Sequence, residues 1–180
     1  MTDKKQLRAG LRHTRDVFVA QVRPTLAVPA PLRALLSPEL VVAAYVPIGS
    51  EADPAPLVAA ARSAGCRITL PFVVDRTTPL VFVPWNDDEA LVDGPFRLRQ
   101  PRLGEVRLAP DLVLTPLIAF DRALNRVGQG AGHYDRAFAE YPHATRIGVA
   151  WSVQEVARIE PDTWDAPLHA IVTEQEWITR

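Results

Sequence analysis

Residues 40–74 read LVVAAYVPIGSEADPAPLVAAARSAGCRITLPFVV, and the fold of the chain turns on how this stretch divides. Its first eight residues, LVVAAYVP, are a near-continuous apolar run of strand length, the pattern of a strand buried on both faces. Asp53 is placed to cap a helix over residues 54–64 (PAPLVAAARSA), and Gly65 to stop it. Residues 67–74 (RITLPFVV) then read as a second strand. A strand, a crossover helix and another strand in so short a space predict parallel pairing.

Outward from this unit the same alternation continues. Residues 3–22 predict an amphipathic helix: Leu7, Leu11, Phe18 and Val22 recur at helical spacing, only Gly10 weakens the run, and Pro24 ends it. Residues 26–38 are rich in Pro and Leu with little periodicity. Residues 80–85 (LVFVPW) suggest a short strand, and residues 86–110 are polar, proline-bearing and loop-like. Residues 112–120 (LVLTPLIAF) resume a buried strand pattern, 134–141 suit a helix, and 146–151 (RIGVAW) and 169–173 (HAIVT) read as final strands. The sum is an α/β open sheet with a large parallel component. With 180 residues, no internal repeat and no dividing linker, one domain is expected.

Composition narrows the function classes. Apolar residues make up 48% and charged residues 23%, which excludes a disordered chain. A net charge of −1 argues against a nucleic-acid-binding surface as the main business, although a local basic patch could hold phosphates. Cys66 is the single cysteine, so no intrachain disulfide framework exists; it reads as a small buried apolar residue, and a cytoplasmic compartment is expected. The basic N-terminus is not followed by the apolar stretch of a signal peptide, and no segment approaches membrane-spanning length. A soluble monomer without membrane or nucleic-acid partners is the expectation.

Chemistry concentrates in residues 125–136, NRVGQGAGHYDR, placed between a predicted strand and a predicted helix. Gly128, Gly130 and Gly132 alternate. Glycine allows several backbone N–H groups to converge, and a helix N-terminus adds partial positive charge, so phosphate is a natural ligand; an ordinary glycine-rich turn is the competing reading. The spacing matches neither the P-loop nor the dinucleotide fingerprint. Asp135, just past the loop, could hold Mg²⁺ beside phosphates or serve as an N-terminal acid favoured by the helix dipole. His133 reads as a packed ring or as a general base. On the first helix Lys4, Arg8, Arg12 and Arg15 fall within roughly a quarter of the circumference at about 100° per residue. This ridge is a solvated face unless the helix packs with that edge toward the glycine loop.

In this order the segments resemble the 5-formyltetrahydrofolate cyclo-ligase family over nearly the whole chain. Family members look like Pro-x-x-x-Phe-Asp-x-x-x-x-Arg-Leu/Ile-Gly-x-Gly-x-Gly-Tyr-Tyr-Asp-Arg, and Pro116, Phe120, Asp121, Arg126, Gly128, Gly130, Gly132, Tyr134, Asp135 and Arg136 fall in register. The N-terminal pattern of Lys-x-x-x-Arg, with Arg seven residues later, is met by Lys4, Arg8 and Arg15. Glu51-Ala52-Asp53 resembles a Glu-x-Asp-Thr signature, with Gln154 and Asp165 as further support. The resemblance implies a three-layer α/β/α sheet similar to ribose-5-phosphate isomerases and CoA transferases. It implies ATP binding by Lys4, Lys5, Arg8, Arg15, Arg126, Gly128, Gln129, Gly130, Ala131, Gly132, His133 and Tyr134. Residues 129–133 would also face the folate, with Glu51 at its pterin end and Val46 on its apolar wall. Arg126, His133 and Tyr134 become the candidate catalytic residues, and Asp135 and Asp165 the Mg²⁺ ligands. Departures from the pattern are Pro54 for Thr, His133 for Tyr, Gln100 for a frequent Glu and His169 for a common acid.

The reaction implied is ATP-dependent closure of 5-formyltetrahydrofolate to 5,10-methenyltetrahydrofolate, with phosphorylation of the formyl oxygen and release of ADP and phosphate. Phosphoryl transfer asks mainly for alignment and charge neutralisation, which backbone N–H groups, Lys, Arg and Mg²⁺ supply. No Cys nucleophile, zinc cluster or Ser-His-Asp motif competes. Two alternatives stay open: a sugar-phosphate isomerase of the same fold, which would consume no ATP, and a folate- or nucleotide-binding protein without turnover.

Overall fold

The computed structural model describes residues 4–180, with side chains from Gln6 onward. In chain order the elements are α1 (Lys4–Val22), α2 (Ala30–Leu35), β1 (Val41–Ala43), α3 (Ala55–Ser63), β2 (Arg67–Phe72), β3 (Val81–Pro84), β4 (Val92–Asp93) and β5 (Arg99–Gln100). They continue with β6 (Leu112–Pro116), β7 (Ala119–Phe120), β8 (Arg126–Val127), α4 (His133–Glu140), β9 (Thr145–Val149), β10 (Ala170–Val172) and β11 (Trp177–Ile178). Seven strands form one sheet in the order β11-β10-β9-β6-β1-β2-β3. The five inner strands are parallel, and β3 and β11 close the two edges antiparallel.

Alternation along these strands sorts the layers, because successive side chains leave opposite faces. Val42, Ile68, Leu70, Leu112, Leu114, Ile147 and Val149 pack with Leu57, Val58 and Ala61 of α3, Leu32 of α2 and Phe18 and Val19 of α1. Ala43, Val113 and Phe82 face the other way, onto Ala137 and Phe138 of α4. Helices therefore cover both faces, the three-layer arrangement that the family resemblance implies. Each fully buried Leu or Ile of this core, such as Leu114 at 1% and Ile147 at 0% exposure, contributes about 1.5–3 kcal/mol.

The apolar run 112–120 does not make one strand. β6 leaves the sheet after Pro116, and Ala119–Phe120 turns back as a hairpin with β8. Pro116 offers no N–H to extend the ladder, and Leu117 and Phe120 pack instead with Leu124, Ala150 and Leu168 and with Ile171 of β10 and Ile178 of β11, which keeps them apolar. Asp53 caps α3 as expected: its Oδ1 accepts from Ala55 N at 2.9 Å, over Pro54, which already takes helical angles. Within residues 26–38, α2 forms where proline sits in the first turn, a position that needs no N–H. The region 86–110 contains the β4–β5 hairpin, whose tip residues Phe96 and Arg97 take φ of 60° and 63°.

From β1 the chain moves to β2 on one side and later returns to β6 on the other. That is a topological switch point, and in open parallel sheets the crevice outside the carboxyl ends of the strands at such a point is where ligands bind.

Candidate active site

A cavity of about 890 Å³ opens at this place, at the upper end of the size range for small-ligand sites. Tyr45, Val46 and Glu51 reach it from the segment after β1, Pro71 and Val73 from the end of β2, and Pro116 from the end of β6. Residues 128–132 and the start of α4 form the facing wall.

The glycine wall is built by the β7–β8 hairpin. Buried Asp121 ties that hairpin: its Oδ1 accepts from Asn125 N at 2.9 Å, and its Oδ2 accepts from Asn125 Nδ2 at 3.0 Å and Ile159 N at 2.8 Å. Gln154 locks the same corner, donating from Nε2 to Leu117 O at 2.7 Å while its Oε1 accepts from Trp151 N at 2.8 Å. Both motif positions are scaffold that aims β8 and its loop. Gly130 and Gly132 hold φ of 101° and 67°, the left-handed region other residues rarely adopt. Gly128 does not, and a methyl group there would meet nothing within 4 Å among the described residues.

The α1 ridge does face this loop, the condition under which its charge matters. Arg8 Nε donates to Gly128 O at 2.9 Å, and Arg12 Nη2 to Gln129 Oε1 at 2.7 Å. Gln129 in turn donates from Nε2 to Glu51 Oε1 at 2.8 Å, so one amide joins the two walls of the cavity. Glu51, 8% exposed, also accepts from Ile48 N at 3.0 Å. Arg15 belongs to the Glu51 wall rather than to the loop: its Nε donates to Ser50 Oγ at 2.9 Å. The side chains of Lys4 and Lys5 lie outside the described residues.

Arg126 is fixed on three sides. Nη1 donates to Ala166 O at 2.6 Å, Nη2 pairs with Asp135 Oδ1, and the guanidinium lies over the Phe138 ring, 4.8 Å from its centroid. The Arg126 side chain is 5% exposed and that of Asp135 24%, so losing the carboxylate would leave a buried cation uncompensated. His133 faces Arg136, whose Nη2 lies 3.2 Å from Nδ1. An arginine can only donate, so the neutral ring carries its proton on Nε2 and offers a donor there rather than a base. Burial first, then the charge of Arg136, keeps the His133 pKa below the ordinary imidazole value. Burial, reinforced by Glu51, pushes the phenols of Tyr45 and Tyr134 up, so both stay protonated donors at neutral pH.

Asp135 and Asp165 both line the cavity. Among the described residues no cluster of three or more His, Cys, Asp or Glu side chains is poised for a metal. Mg²⁺ ordinarily takes one or two carboxylates together with phosphate oxygens and waters, so two acids on the wall of a phosphate-ready cavity fit its donor chemistry. Arg76, Phe96, Arg97 and Trp164 also line the cavity, and no motif or spacing marks them. They come from segments without periodicity, and only the tertiary fold brings them here. Of the departures from the family pattern, Pro54, Gln100 and His169 stand outside the lining. Gln100 Oε1 accepts from Val73 N at 3.0 Å, and His169 Nδ1 from Arg146 N at 2.9 Å.

A switch-point cavity with a glycine loop at a helix start on one wall and a buried carboxylate on the other is a ligand site of the kind α/β enzymes carry. The model of the 5-formyltetrahydrofolate cyclo-ligase family matches residues 1–174, and the chain belongs to that family. It is 29% identical to 5-formyltetrahydrofolate cyclo-ligase of Escherichia coli K12, the match covering 91% of this chain and 96% of that protein. The protein of the same name from Mycolicibacterium smegmatis is 33% identical, covering 74% and 73%. Among solved structures, 5,10-methenyltetrahydrofolate synthetase of Aquifex aeolicus superposes with a TM-score of 0.72 at 26% identity, covering 98% of this chain and 92% of that one. The Mycoplasma pneumoniae synthetase, at 22% identity and a TM-score of 0.63, shows the same fold.

Proposed function

We propose that this cavity closes 5-formyltetrahydrofolate to 5,10-methenyltetrahydrofolate at the expense of ATP, as an ATP-dependent ligase of one-carbon metabolism. One observation carries the reading of the site: a single cavity is lined at once by the glycine loop with Arg8 and, across Gln129, by Glu51 with Tyr45 and Val46. Two ligands of different chemistry meet there.

An N-formyl amide is a poor electrophile, and its oxygen must leave. The γ-phosphoryl group of ATP passes to the formyl oxygen, the new P–O bond forming as the bond to ADP breaks. N10 then attacks the formyl carbon, the C–O bond breaks with loss of phosphate, and the N10 proton departs to give the methenyl bridge. The N–H groups of the 128–132 loop and the Arg8 cation would hold the triphosphate. Arg126, oriented by Asp135 and Ala166 O, meets the charge spreading over the transferred group without having to reorganise. His133 Nε2–H and the Tyr134 hydroxyl donate toward the reacting oxygens. Asp135 and Asp165 would hold Mg²⁺, which when bound neutralises phosphate charge. Glu51 binds the pterin end and Val46 its apolar flank.

Among the described residues no helix is long and apolar enough to cross a membrane. Cys66 is buried, donates to Ser37 O at 3.2 Å and has its thiol pKa raised by burial, in keeping with a packed, unreactive residue. A monomeric cytoplasmic enzyme without nucleic-acid partners is the proposed setting. The test mixes purified protein with Mg-ATP and 5-formyltetrahydrofolate and follows the methenyl absorbance together with ADP. Stoichiometric appearance of both is expected; absorbance without ATP, or ADP without absorbance, would overturn the reading.

A further inference from the structure

The arginines of the α1 ridge do not share one task. Arg8 and Arg12 contact the glycine loop, whereas Arg15 lies seven residues, or about 10 Å, further along the helix axis and reaches the opposite wall. There it is 5% exposed, lines the cavity and sits beside Ser50, Tyr45 and Glu51. Its Nε is used by Ser50 Oγ, yet Nη1 has no hydrogen-bond partner among the described residues. The negative charge that most favours its cationic form is Glu51. No ion pair within 4 Å joins the two side chains among the described residues, and Glu51 turns its oxygens to Ile48 N and Gln129 Nε2. A guanidinium taken from water and left partly unmatched is costly, so the arrangement needs a reason.

Together Arg15 and Glu51 present donors beside an acceptor on one half-apolar wall. Given the function proposed above, on which this step rests, the ligand for that wall is a pterin, whose lactam edge carries an accepting 4-oxo group next to the donating N3–H and 2-amino groups. A carboxylate answers the two donors, and the oxo group calls for a cation with N–H to give. We infer that Arg15 is a specificity residue for the folate rather than a phosphate ligand, donating from its guanidinium to the pterin 4-oxo group while Glu51 accepts from the N3–H and 2-amino side. A 4-amino pteridine would set donor against donor at this point, and a site built to donate rejects such a ligand.

The experiment titrates 5-formyltetrahydrofolate and its 4-amino-4-deoxy counterpart, and separately a non-hydrolysable ATP analogue with Mg²⁺, into the parent, Arg15→Met and Arg15→Lys. The parent is expected to bind the 4-oxo ligand on the order of tenfold or more tighter than the 4-amino one. Arg15→Met loses most of that preference and keeps the parent's nucleotide affinity; Arg15→Lys, with the charge but not the planar fork, falls between. A parent that binds both pteridines alike overturns the inference, whether or not Arg15→Met folds. So does an Arg15→Met variant that keeps the preference, or one that loses nucleotide affinity as strongly as folate affinity. Should the parent bind nucleotide but neither pteridine, the folate reading of the cavity fails first, a result distinct from equal binding of the two.

Discussion

The two walls of the cavity are made in opposite ways. The glycine wall is backbone: Gly130 and Gly132 in left-handed conformations, half-exposed side chains, and Arg8 and Arg12 reaching in from another element. The Glu51 wall is side chain: Arg15 and Glu51 buried at 5% and 8% exposure, with the phenol of Tyr45 bonded to Ala52 O behind them. A backbone cradle suits a triphosphate, which offers many equivalent oxygens. Fixed, buried and individually placed polar groups suit a heterocycle whose donors and acceptors come in a set order. The difference teaches where a change in sequence should be felt: on the glycine wall in nucleotide affinity, on the Glu51 wall in folate affinity and folding together.

The most severe loss is expected where the two walls meet, at the Arg126–Asp135 pair. Asp135→Asn keeps an oxygen for Arg126 but removes the charge that balances it and that would meet Mg²⁺. Turnover should fall by on the order of a hundredfold or more with the protein still folded. Normal Mg²⁺-dependent turnover in a steady-state assay would take Asp135 out of the site. Next comes a crossed pair. Glu51→Gln should weaken 5-formyltetrahydrofolate binding by about 1–3 kcal/mol, with ATP little affected, and Arg8→Ala should do the reverse. Calorimetric titration of each ligand into each variant checks this, and parallel losses in both would erase the division between the walls.

A smaller effect concerns pH and lies outside the Glu51 wall. The pKa of His169 is lowered by burial and then by Arg146, and that of His133 by burial and then by Arg136. Each folded-state value lies below the unfolded one near 6.5, so the unfolded chain binds more protons as pH falls past that value. The stability these rings contribute is therefore present above about pH 6.5 and is lost on acidification. Melting temperature measured from pH 7.5 to 5 should decline, and His169→Gln should shallow the decline; an unchanged slope would remove His169 from the effect.

How much of this was legible in the sequence follows the same division. Apolar runs bounded by Gly and Pro marked β1, β2, β9 and β10, and the crossover helix α3, because strands buried on both faces admit little else. The run 112–120 hides its break because residues packed onto a sheet are as apolar as residues within it, and the departure after Pro116 depends on what packs there. The glycine wall was readable since its chemistry is local: Gly128, Gly130, Gly132 and Asp135 lie within eight residues. The Glu51 wall was not, beyond the positions that family resemblance supplied. Arg15 and Ser50 are 35 residues apart, Gln129 and Glu51 78 apart, and no periodicity encodes such meetings. The basic ridge was visible as a stripe, but that its third arginine faces a different wall required the helix to be docked.

The most direct measurement uses Gly128, the one loop glycine that the fold itself does not require. Its φ lies outside the left-handed region, and an added Cβ would meet no atom of the described residues within 4 Å. Gly128→Ala should leave the melting temperature unchanged or raise it slightly, since alanine restricts the unfolded chain. If the loop cradles phosphate, the same sample should bind an ATP analogue with Mg²⁺ on the order of tenfold more weakly, because the methyl group occupies space that the triphosphate needs. A Gly128→Ala protein with parental stability and parental nucleotide affinity would contradict the phosphate cradle and the mechanism built on it.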